Sequence, residues 1–212
     1  MLKRIVALTL ILFLGCGGRM ATLVDPVNNE NFIVVGSVIL QNNQFTSETA
    51  VYTDGIDVLV TGKYEENGKE KKKDFWVITD RQGYFFLANV PPGQYALKAL
   101  RTTVGIDRML TIANSLRYST SEFQIQPKER IPAGADYFEE QPVGRVVDLK
   151  HNFFMIDYAS QSNYRVKHQK ASSVPKAKLI DGQEITRPSV PAYFIEKFPT
   201  SKWISVLEQV KY

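Results

Sequence analysis

Thr79-Asp80-Arg81-Gln82-Gly83-Tyr84-Phe85-Phe86-Leu87-Ala88-Asn89-Val90-Pro91-Pro92-Gly93-Gln94-Tyr95-Ala96-Leu97 is the stretch on which the fold is decided. Asp80 favours the start of a tight turn and Gly83 a left-handed exit, so Asp80 to Gly83 joins two strands. Tyr84 to Val90 is a short, mostly apolar run between turn signals, which reads as a strand. Pro91 and Pro92 each fix φ, and Gly93 tolerates positive φ, so the chain reverses before Tyr95. Tyr95, Leu97 and Ala99 then share one face of a further strand, with Lys98 on the other.

The same pattern continues outward. Phe32 to Leu40 is almost wholly apolar and rich in β-branched residues, as in a strand buried on both faces. Asp57 to Tyr64 alternates like a half-buried strand, and Asn67-Gly68 is a strong hairpin pair ahead of Phe75 to Thr79. Downstream, Met109 to Ile112, Glu122 to Gln126, Val143 to Leu149 and Asn152 to Tyr158 are further strand candidates. Many short strands with turns between them predict a mainly β, antiparallel sandwich over residues 32–158. The polar, proline-bearing stretch from Ser160 to Pro199 predicts an irregular extension, 159–212. It ends in a short helix over 201–210, capped by Thr200 or Ser201, with a Trp203, Val206, Leu207 and Val210 stripe.

Gly36-Ser37-Val38, the Thr79 to Phe85 turn and Asn89 to Leu97, taken in order, resemble the carboxypeptidase regulatory-like domain. The resemblance covers residues 32–112 and implies a transthyretin-like (prealbumin-like) β-sandwich of about seven strands. Modules of that family are usually non-catalytic parts of larger systems, and a fold does not supply an activity. The histidines agree. His151 is followed by Asn152-Phe153-Phe154 and His168 by Gln169-Lys170-Ala171, so neither opens the His-x-x-Glu pair of zinc carboxypeptidases.

The amino terminus predicts where the chain resides. Lys3 and Arg4 precede ten residues, Ile5 to Leu14, of which only Thr9 is polar. That is the size of a signal-peptide core and half of what a spanning helix needs. Leu12-Phe13-Leu14-Gly15-Cys16 resembles the lipobox of bacterial lipoproteins, which implies cleavage between Gly15 and Cys16 and a diacylglyceryl thioether on Cys16. Residues 1–15 are then signal and 16–31 a flexible tether. Two or more acyl chains hold a protein stably on a membrane, whereas one does not. Cys16 is the single cysteine of the 212-residue chain, so no intrachain disulfide or multi-cysteine zinc site can form. Formal charge is +4, and losing Lys3 and Arg4 with the signal removes two positive charges to leave +2, which gives no reason to expect nucleic acid.

These readings predict a lipid-anchored, non-catalytic binding or scaffolding module of the bacterial cell envelope, held by membrane lipid through Cys16. Gly17 after the cysteine, by resemblance to enteric lipoproteins, implies the outer membrane. No cofactor and no metal site are expected. Phe153, Met155 and Trp203 are the candidate contacts for an envelope protein partner, set against packing of Phe154 and Ile156 in the core. The alternatives are an accessory subunit of a secretion or uptake complex and a cryptic hydrolase. No Gly-x-Ser-x-Gly elbow supports the hydrolase, which would be revived by a buried Ser–His pair or a cluster of metal ligands. The Lys69 and Lys71-Lys72-Lys73 run is balanced by Glu65, Glu66, Glu70 and Asp74, as expected of a solvated hairpin tip.

Overall fold

β1 (Phe32–Asn42) organises the molecule, because three other strands hydrogen-bond to it. A computed structural model describes residues 22–42, 50–102, 121–124, 139–140, 142–160, 163–171, 177–178 and 184–210. The elements that follow are β2 (Ala50–Tyr52), β3 (Asp57–Glu66), β4 (Lys69–Ile78), β5 (Tyr84–Val90), β6 (Gly93–Thr102), β7 (Ser121–Gln124) and β8 (Glu139–Glu140). Next come β9 (Val146–Ser160), β10 (Asn163–Ala171), β11 (Ala177–Lys178) and β12 (Glu184–Ile185), then two helices, α1 (Val190–Lys197) and α2 (Ile204–Leu207). The protein is mainly β, and its described residues form a small β11-β12 pair and two five-stranded sheets. One runs β10-β9-β1-β2, with β5 also on β1; the other runs β4-β3-β6-β7, with β8 also on β6.

The two sheets enclose a shared core. Val34, Val38, Leu40, Phe85, Val147, Leu149 and Phe154 from the first meet Val58, Val60, Tyr95, Leu97 and Leu100 from the second. The opposite face of β1 is buried too. Ile33 and Val35 join Tyr84, Val146, Val190, Phe194, Trp203 and Leu207 in a second cluster, in which α1 and α2 cover the first sheet. That double coverage accounts for the unbroken apolar run in β1, since residues on both pleats leave water.

Close packing explains the glycines of the opening motif. Gly36 lies opposite Phe85, and a Cβ at Gly36 would come within 2.5 Å of the phenyl ring. Gly83 has φ +83°, and a Cβ there would lie 2.4 Å from the Val38 carbonyl oxygen. Tyr95 is fully buried and donates its hydroxyl proton to the Pro91 carbonyl at 2.7 Å, which pins the Pro91-Pro92-Gly93 reversal.

Three expectations are corrected. The first sheet is mixed, because β1 and β9 run parallel, with Ile33 opposite Val146 and Leu40 opposite Phe154. The 158/159 boundary falls inside β9, and β10 pairs along it, so part of the supposed irregular extension is sheet. α1 lies in the stretch expected to be irregular, and within 201–210 the helix proper is only Ile204–Leu207.

β9 reaches its place through a bulge. Val35 faces Asp148, but Ser37 faces His151, so β9 spends one residue more than β1 between those pairs. Lys150 takes φ +67°, its N–H bonds Asp148 Oδ1 at 2.9 Å, and Asn152 Nδ2 donates to the Leu149 and Lys150 carbonyls at 2.9 and 3.2 Å. The strand candidate 109–112 lies outside the described residues.

Candidate functional site

Two polar side chains buried in the first sheet, Ser37 and His151, lie on the side that the helices cover. β1 supplies Ser37 and β9 supplies His151, both with no exposed surface, and Ser37 Oγ is 2.6 Å from His151 Nδ1. The edge of the His151 ring meets Tyr84, with centroids 5.9 Å apart. Tyr84 stacks flat on Tyr193 of α1 at 3.7 Å and donates its hydroxyl proton to the Pro188 carbonyl at 3.1 Å. The Arg187 guanidinium lies over the other side of Tyr84 at 4.5 Å and donates to the Gln82 carbonyl.

At the rim of this cluster is Asp80, the first residue of the turn that opened the reading. Its Oδ1 accepts the N–H groups of Gln82 and Tyr84 at 2.9 and 3.0 Å. Its Oδ2 accepts the Tyr193 hydroxyl at 2.6 Å and the Lys197 ammonium. Tyr193 and Lys197 stand four residues apart on one face of α1, and Lys197 Nζ lies 2.7 Å from the Tyr193 oxygen. Burial works against the Asp80 charge, but the bonds from Lys197, Tyr193 and the Tyr84 N–H outweigh it and hold the carboxyl below its ordinary range. Burial, reinforced by Asp80, pushes the Tyr193 hydroxyl up, so it serves Asp80 as a donor and not as a base.

The arrangement fastens a helix to a turn. A serine nucleophile has to meet its substrate, and neither Ser37 nor His151 reaches solvent in this packing. The Ser–His pair that would revive a hydrolase is therefore present but sealed. Among the described residues no three His, Cys, Asp or Glu side chains could hold a metal ion.

Burial, helped by the Arg187 charge, lowers the His151 pKa from 6.5 to about 4; the opposing pull of the Pro188 carbonyl is weaker. Above pH 6.5 the imidazole is neutral in folded and unfolded chains alike. As pH falls from 6.5 to 4 the unfolded chain takes up a proton that the folded chain refuses, so stability drops by about 3 kcal/mol across that window. Urea midpoints measured from pH 7 to 4 are expected to fall less steeply in His151→Gln than in the parent. Parallel pH profiles would show that His151 does not supply the acid sensitivity.

The amino-terminal segment is equally fixed. Leu23 is buried in the helix-side cluster, and the Trp203 indole N–H donates to the Val24 carbonyl at 2.9 Å. Asp25 Oδ1 accepts the Lys202 N–H at 3.0 Å, and the Asp25 carbonyl accepts Asn89 Nδ2 at 3.0 Å. Arg145 reaches the Asn31 and Asn28 carbonyls at 2.8 and 3.0 Å while lying 5.0 Å over the Trp203 ring. The second half of the expected tether is thus docked, because its backbone carbonyls accept from the Trp203, Asn89 and Arg145 side chains and Asp25 accepts the Lys202 N–H.

The expected contact residues separate. Phe153 is half-buried, and the Met155 side chain lies outside the described residues, as do Gly15 and Cys16. Phe154 is in the core. Trp203 is fully buried against its own chain, which corrects its place among the partner contacts. Two side chains missed in the sequence, Trp76 and Ile78, are 42% and 54% exposed on β4, at the end of the second sheet. Their spacing of two puts them on one face, and that was the only signal available. The chain matches no protein-family model, and no curated protein matches it.

Proposed function

We propose that the protein is a lipid-anchored, non-catalytic module of the bacterial cell envelope, with a transthyretin-like sandwich resembling the carboxypeptidase regulatory-like domain. The fold reading is supported by the motif residues, since Gly36, Gly83 and Tyr95 each meet a steric or hydrogen-bonding demand of the two-sheet core. The observation that carries the anchoring function is the docked segment Leu23 to Asn31. Only residues 17–22 separate it from Cys16, a span of about 20 Å when fully extended. Such a short leash suits a module meant to be held at a membrane face as a binding or scaffolding element. Outer-membrane sorting is read from Gly17 by resemblance to enteric lipoproteins.

The test is metabolic labelling with palmitate in a lipoprotein-processing bacterium. The full chain is expected to take up label and to partition into detergent, and Cys16→Ser to lose both. Label retained by Cys16→Ser, or a variant cleaved at the same bond that stays on membranes, would overturn the anchor. A second reading, an accessory subunit of a secretion or uptake complex, is favoured by Trp76 and Ile78 exposed at the sheet edge. A stoichiometric partner recovered from detergent-solubilised envelope, and lost on Trp76→Ser, would select it.

A further inference from the structure

The described residues hold five large apolar side chains that are well exposed, and three of them gather at one end of the molecule. Val24 is 59% and Val27 77% exposed in the docked amino-terminal segment, and Val143 is 50% exposed in the turn that leads into β9. The contacts place them together. Arg145, two residues after Val143, bonds the Asn28 carbonyl beside Val27 and lies over the Trp203 ring that bonds the Val24 carbonyl. The Val27 N–H is held by Asn89 Oδ1 near the end of β5. This is the end at which β1 begins and β5 finishes, since Phe32 pairs with Val90.

We propose that this end is the lipid-facing end of the module, with Val27 and Val143 seated in the interfacial layer of the bilayer. The inference rests on the lipid anchor at Cys16. The occupant is argued from chain length: six residues reach about 20 Å at most, so the docked segment cannot leave the neighbourhood of the bilayer, and a tethered patch meets its surface at high effective concentration. Valines exposed singly on a soluble surface need no explanation, but three beside the leash present a patch where lipid is close by.

Charge does not drive the contact. The β3–β4 hairpin leaves from the same end, since Tyr64 pairs with Gly93 ahead of the Asn67-Gly68 turn. Its Lys71 pairs with Glu66, and Lys63, Lys69, Lys71, Lys72 and Lys73 stand against Glu65, Glu66, Glu70 and Asp74, which leaves a net of only +1. The seating is therefore expected to be insensitive to salt and to the fraction of anionic lipid, unlike a polybasic contact.

Lipidation consumes the chain's only thiol, so one introduced cysteine can be labelled uniquely. Lipidated full-length Val27→Cys and Asp54→Cys, each carrying an environment-sensitive fluorophore, would be reconstituted in phosphatidylethanolamine–phosphatidylglycerol vesicles. Asp54 is exposed beyond the other end of β3, a distance of about 25 Å along the strand. The Val27 label is expected to shift to the blue and to be quenched by spin-labelled lipid several-fold more strongly than the Asp54 label, at low and high salt alike. Equal quenching, stronger quenching at Asp54, or a Val27 signal lost in salt would overturn the seating while leaving the anchor intact. A chain that takes up no palmitate would remove the anchor and this inference with it.

Discussion

Trp203→Ala is expected to cost about 3–5 kcal/mol of folding stability, the range for deleting a large buried aromatic. The side chain is fully buried and packs with Leu23, Ile33, Val146 and Leu207, so its loss opens a cavity between α2, the first sheet and the amino-terminal segment. It also removes the indole N–H that holds the Val24 carbonyl and the ring over which Arg145 is placed. Local and global consequences follow together. The urea midpoint falls, and residues 22–31 become sensitive to protease at concentrations that spare the parent. Trp203→Phe keeps most of the apolar area and loses the donor, so it should cost clearly less and leave intermediate protection. If Trp203→Ala kept the parental midpoint or the parental protection of residues 22–31, the clamp between the two ends of the chain would be wrong.

This clamp connects stability to the proposed anchoring. With the segment docked, the leash from Cys16 ends at Leu23. With it released, the leash runs on to Asn31, and its reach grows from about 20 Å to about 50 Å. On the proposed anchoring, a core tryptophan would set how far the module stands from the bilayer, and the same substitution should weaken lipid quenching at Val27 in the reconstituted protein.

Local order was legible in the sequence and long-range order was not. Asn67-Gly68 reads as a hairpin turn, and both residues have positive φ, at 55° and 71°. Tyr84 to Val90 reads as a strand with the ends that β5 has. Burial of β1 on both faces follows from its unbroken apolar run. The parallel partner of β1, by contrast, lies more than a hundred residues away, and an apolar strand carries no mark of which strand it will pair with. α1 was missed because its prolines and polar flanks read as loop, although Pro191 sits in the first turn, where a missing N–H is harmless. Asp25, Asn28 and Asn31 read as a tether for a related reason, since the groups that dock the segment, the Asn89 and Arg145 side chains and the Lys202 N–H, lie far along the chain. The Ser37–His151 pair is equally non-local and carries no motif.

Deleting Lys150 is expected to be tolerated, whereas deleting its neighbour Leu149 should be strongly destabilising. Up to Leu149, β9 alternates in step with the core: Val146 faces the helices, and Val147 and Leu149 face the opposite sheet. Lys150 is the extra residue, and beyond it His151 faces Ser37 and Tyr84 and Phe154 enters the core. Without it Leu149 would stand opposite Gly36 and His151 still opposite Ser37, so every side chain from His151 onward would keep its face. Without Leu149, by contrast, Lys150 would take the position that faces the opposite sheet, at a cost of about 2–5 kcal/mol for the lost leucine and more for an ammonium in the core. Lys150→Gly keeps the residue count, relieves a side chain held at φ +67°, and gives up only the Asp148 ion pair at 3.2 Å. It should therefore fold with a midpoint close to the parent's. Near-ultraviolet circular dichroism and urea unfolding separate the two deletions. A Lys150 deletion that loses the parental aromatic signal, or a Leu149 deletion that keeps the parental midpoint, would show that Lys150 is not the extra residue of β9, and the placement of His151 and Phe154 would need another cause.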